Sequence, residues 1–174
     1  MYNFGWEASP ATHQSVIEIL LKLMRDTTLG RHTKPLILEA MTCMLTTLGA
    51  QFLQWISHVF RILIGAMAVP KPVGVHTEEA EDTITFVDQL RAEILLFNSE
   101  LLMIPEAAQA LSNQQYQKAL GSFCMVLAGP GQATDEHRTL LSDMLVDLAK
   151  TPATRQLAQA LARQPAMRPF FPNP

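Results

Sequence analysis

The side chains of this chain that could hold a metal or attack a substrate are few and widely separated. They are His13, His32, His58, His76 and His137, with Cys43 and Cys124. No short metal-ligand spacing occurs among them, and no cysteine lies near a histidine in the sequence. A Cys–His dyad would have to be assembled by the fold. Both cysteines sit among Met and Phe, which stabilise a thiolate poorly, so they read as small core residues kept reduced. His58 falls mid-helix, three residues after Trp55, as an ordinary surface or groove residue. Asp88, Glu93 and Glu100 could serve as acids or bases, but they share one long helix and read as its solvated face. Gly129-Pro130-Gly131 reads as a turn rather than a phosphate loop. No catalytic, cofactor or metal site is expected, and the chain reads as a binding protein, not an enzyme.

Composition sets the frame for those residues. The 174 residues are 48% hydrophobic, enough for one domain with a continuous core. A net charge of −3 and a pI near 5.9 give no broad basic field for nucleic acid and mildly favour basic peptides. The opening MYNFGWEASPATHQ lacks the cationic start and apolar run of a signal peptide. The longest apolar run, 62–69, is too short to span a bilayer, so no membrane insertion is expected.

Helical periodicity runs throughout, and no stretch alternates as a strand would. The first helix is expected over 11–26, with Val16, Ile19, Leu20 and Leu23 on its buried face. A second, 34–48, opens on Lys34-Pro35, buries Ile37, Met41, Met44, Leu45 and Leu48, and stops at Gly49. The third, 51–68, puts Phe52, Trp55, Ile56, Val59 and Leu63 on one side. After a Pro-rich linker the fourth spans 79–103, with Val87, Leu90, Ile94, Phe97 and Leu101 recurring at helical spacing. A turn over 105–111 leads to helices at 113–127, 135–150 and 152–163. Residues 1–10 are expected to be a disordered or extraneous start, and 164–174 a Pro-rich tail, disordered or draped over the last helices. Met24, Met41, Met44, Phe97 and Phe123 take core spacing, whereas Trp55 is placed to lie partly exposed and stack on a partner.

The second and fourth helices start 45 residues apart, within the 40–47 typical of HEAT and armadillo repeats. The next interval, from 79 to 135, is longer because of the insertion at 105–111. The expected architecture is all-α, a HEAT-type superhelix of about three and a half helix pairs: an orphan helix, then 34–68, 79–127 and 135–163. The orphan start and the Ala/Gln-rich final helix suggest the C-terminal fragment of a longer chain. Apolar residues of the opening helix could then pair two copies through its N-terminal edge.

The order Lys34-Pro35-Leu36-Ile37-Leu38, Leu48-Gly49-Ala50-Gln51-Phe52, Trp55, Val59 and Leu63 resembles a late HEAT repeat of the importin-β (karyopherin-β) family. So do Asp82, Phe86-Val87-Asp88 and Leu90-Arg91 in the long helix after an acidic linker, and the opening helix over 16–24. The likeness covers 16–101 and is faint beyond. The tail departs from the family, being Pro-rich rather than a basic helix.

This resemblance implies a nuclear transport receptor working between cytoplasm and nucleus, at the nuclear pore. Its inner helices would be 11–26, 51–68, 113–127 and 152–163. Glu18, Asp26 and Trp55 would face the basic N-terminal helix of importin-α, or a cargo. Outer helices 34–48 and 79–103 would frame a slot for Phe-Gly nucleoporins near Leu38, Thr42 and Phe86. Ran would bind mainly through N-terminal repeats that this sequence lacks. The helix 51–68 has no acid and contains Arg61, which fits a basic partner poorly. The alternatives are a HEAT or armadillo scaffold unrelated to import, and an all-α enzyme or regulatory bundle.

Overall fold

A computed structural model describes residues 9–171, and the described residues are all-α. Eight α-helices are present: α1 (Pro10–Arg25), α2 (Thr33–Leu48), α3 (Ile56–Met67), α4 (Glu78–Leu102), α5 (Ala108–Leu111), α6 (Gln114–Leu127), α7 (Asp135–Lys150) and α8 (Arg155–Ala162). Helices α1, α4, α6 and α7 each start where a short polar side chain meets an orphan amide. Ser9 accepts from Thr12 N at 3.4 Å, Thr77 from Ala80 N at 3.1 Å and Asn113 from Tyr116 N at 3.0 Å. Thr134 and His137 form a reciprocal cap on α7.

The helices pack as two rows. In one row α2 lies against α4 and α4 against α7; in the other α1 meets α3, α3 meets α6 and α6 meets α8. Cross-contacts of α1 with α2, α3 with α4 and α6 with α7 join the rows. Helix α4 is the spine of the first row. Val87, Ile94, Phe97 and Leu101 are fully buried along it, with Leu90 2% exposed, as the 3-4 spacing requires. Asn98 is buried in the same helix, donating to Ile94 O at 2.8 Å and accepting from the Tyr116 hydroxyl of α6. The Tyr116 ring stacks on Phe60 of α3, 4.3 Å between centroids. One tyrosine therefore ties α3, α4 and α6 together.

Several expectations need correction. The buried face of α1 is His13, Ile17 and Leu21, while Val16 and Ile19 are exposed. Both faces of this helix carry aliphatic residues, so periodicity alone leaves its rotation open. The segment Gly49–Trp55 is a 3-10 helix, not the first turns of an α-helix. At three residues per turn, Phe52 and Trp55 eclipse one another, and both rings enter the core, edge to face at 6.2 Å. Gly49 makes the corner with φ 58° and ψ −128°, a conformation open to glycine alone.

The described part of the tail is helical and packed: Pro165–Phe170 is a 3-10 helix that buries Met167 and Phe170, with Arg138 over the Phe170 ring at 5.4 Å. The expected tail over 172–174 lies outside the described residues. The expected start at 1–10 lies outside the described residues except for Ser9 and Pro10, which open α1. One helical stretch, 33–67, is long and apolar enough by length and composition to cross a membrane, with a window of mean hydropathy 1.5. Thr, Ser, His and Gly punctuate it, so no uninterrupted apolar run of that length occurs in the sequence. Here its halves pack on different rows, α2 on α4 and α3 on α6.

Candidate functional site

The six residues expected to meet partners are dispersed. Glu18 is exposed on α1 and accepts from Gln14 Nε2 at 2.9 Å. Asp26 shapes the turn after α1, accepting from Thr28 N at 2.8 Å and Thr28 Oγ1 at 2.6 Å. These Thr28 hydrogen bonds hold its carboxyl below the usual range. Trp55, expected to be partly exposed, is only 8% exposed because its 3-10 turn aims it inward. Leu38 is 1% exposed, and half-buried Thr42 spends its hydroxyl on Leu38 O at 3.0 Å. Neither presents an open slot. Phe86, 8% exposed, lines a groove and packs under Arg31 (5.5 Å) and edge-on to His32 (6.0 Å). Arg31 and His32 bind the Asp82 carboxylate at 2.5 and 2.9 Å and lower its pKa, the Arg31 hydrogen bond being the largest single cause.

The groove at Phe86 lies where α1, α3 and α4 meet. It has a volume of about 380 Å³ and is lined by Met24, Ile62 and Phe86 with Arg25, Lys34 and Arg61. Lys34 is fixed there by the end of α1: its ammonium donates to Leu23 O (3.1 Å), Asp26 O (2.8 Å) and Met24 O. Leu23 O also accepts from the capping Asp26 N at 3.2 Å, and the lysine adds charged donors at this carbonyl end, so it both caps α1 and answers its dipole. Arg25 and Arg61 are exposed and make no ion pair among the described residues.

This groove belongs to a wider charge pattern. The α1–α3–α6–α8 row carries Lys22, Arg25, Arg61, Lys118 and Arg155, all exposed, against a single acid, Glu18. The facing row is acidic, with seven acids and one cation on α4 alone. A net charge of −3 conceals two oppositely charged sides. Summing charge helix by helix would have exposed this, but only once each helix was assigned to a row.

A second groove, about 600 Å³, lies between the end of α3 and α6, beside the 68–71 linker and the 129–132 turn. At its wall, Arg91 is 2% exposed. Its guanidinium donates to Gln132 O at 2.9 Å and to Gln132 Oε1 at 3.1 Å, while its Nε has no partner. Burial lowers the Arg91 pKa, and the nearby Asp88 charge partly restores it. Lys71 Nζ lies 2.8 Å from Asp88 Oδ1 as an ion pair without hydrogen-bond alignment. His137 Nδ1 accepts from Thr134 N, so its Nε2 carries the proton donated to Asp88 O at 2.7 Å. Sequence reasoning missed Arg91, which looks like any charged residue of a solvated helix. The reading of Asp88, Glu93 and Glu100 as a solvated face is corrected too, since all three are half-buried.

Cys124 is fully buried and its thiol is pushed up to about 12 by burial, leaving it protonated and inert. Among the described residues no cluster of three His, Cys, Asp or Glu side chains could hold a metal. Compared with protein-family models, with curated proteins and with solved structures, the chain has no match in any of the three.

Proposed function

We propose that the chain is a stack of HEAT-type helix pairs acting as a binding module, whose α1–α3–α6–α8 row holds an acidic segment of a partner protein. The observation that carries this reading is the segregation of charge, with unpaired Arg25 and Arg61 beside an apolar groove floored by Met24, Ile62 and Phe86. Carboxylates would be drawn by the cations, and one apolar anchor would fill the groove. The module works by holding its partner, not by turnover. The transport-receptor reading asks the same row to take a basic helix, which these cations oppose.

Fluorescence polarisation separates the two. A labelled Asp/Glu-rich peptide with one Phe should bind, less tightly as salt is raised, and Arg25→Glu with Arg61→Glu should weaken it by about tenfold or more. No binding of that peptide would sink the proposal. Salt-sensitive binding of a basic helix, or binding of a Phe-Gly peptide instead, would restore the transport-receptor reading.

A further inference from the structure

The second groove carries a charge that the protein itself leaves unanswered. Two cations, half-buried Lys71 and buried Arg91, meet there with one carboxylate, Asp88. His137 is neutral by its hydrogen bonds, and no Asp or Glu lines the groove. Arg91 Nε is buried without a partner, and a buried unpaired donor on a charged group is costly. The remaining wall is apolar, with Ile64, Met67, Phe123 and Val126 contributing. A volume of about 600 Å³ falls within the range of small-molecule pockets.

We propose that this groove binds a medium-chain monocarboxylic acid, its carboxylate paired with Lys71 and Arg91 and its chain lying along α3 and α6. The head supplies the one missing negative charge, and the tail covers Val126, which stands 43% exposed on the groove wall. Lys71 and Gln132 belong to the linker and turn that close over Arg91, so these two segments shift to admit the head. The site is separate from the basic row and stands or falls independently of it.

Isothermal titration of the full chain with decanoate, below its micelle concentration, tests this against decylamine of equal chain length. Decanoate should bind saturably with one-to-one stoichiometry and raise the melting midpoint, while decylamine binds at least tenfold more weakly. Ser122 is exposed on the groove wall, so Ser122→Asp repels the carboxylate without touching the core. It should cost at least tenfold in decanoate affinity with an unchanged circular dichroism spectrum. Equal binding of acid and amine, absence of decanoate binding, or indifference to Ser122→Asp would overturn the proposal. A peptide ending in Leu-Leu-Phe that bound more tightly through its free carboxylate would replace the free acid as occupant.

Discussion

Glu93 holds the clearest pH signature among the described residues. Burial first, then the neighbouring charges of Glu39 and Glu136, raise its pKa to about 7. The folded state therefore binds this proton more tightly than the unfolded chain. Its stabilising contribution is full below about 4.5 and is lost as pH rises through about 7. Glu93→Gln should flatten the stability curve between those values and raise the melting midpoint at pH 8. The half-buried position screens the effect to about 1 kcal/mol, or roughly 2–4 °C. Urea melts of both proteins at pH 5 and 8 check it, and parallel pH curves would refute it. Tyr116 makes a different demand. Tyr116→Phe keeps the stack on Phe60 but leaves Asn98 Oδ1 without its donor in a dry interior. A loss of about 1–3 kcal/mol is expected, read from the same melts.

Gly49 tests the corner between α2 and the 3-10 turn. Gly49→Ala meets no neighbouring atom, so any penalty comes from its φ of 58° and not from crowding. The expected cost is about 1–3 kcal/mol. Gly30→Ala, equally uncrowded but at an ordinary φ, should be neutral or slightly stabilising. Thermal melts of the pair distinguish conformation from packing. The corner also marks how far the sequence could be read. Helices α2, α4 and α7 were legible to within a residue or so because their apolar spacing is regular and proline or glycine breaks precede them, with Pro35 in the first turn of α2. The rotation of α1 was not, since aliphatic residues on both faces let Val16–Ile19 compete with Ile17–Leu21. The 3-10 turn was invisible as well. In the fold Phe52 packs edge-on against Phe97, 6.1 Å away on α4, a contact that local spacing does not report.

The two-row packing of the whole molecule gives meaning to charges that looked scattered along the chain. Which helices share a row depends on contacts between helices distant in sequence, such as α3 with α6, and sequence spacing does not report these. The candidate site stayed hidden for that reason, although every cation in it is plain in the sequence. Arg91 needed still more, namely the 129–132 turn folding back over it from about forty residues away. The separation of charge has a further physical consequence. Cations along one row and carboxylates along the other give the molecule a large transverse electric dipole. At neutral pH, above its pI near 5.9, it should be retained by a cation exchanger at low ionic strength as well as by an anion exchanger. Arg25→Glu with Arg61→Glu should abolish only the former. Near any charged surface the molecule would turn one chosen side toward it before making contact.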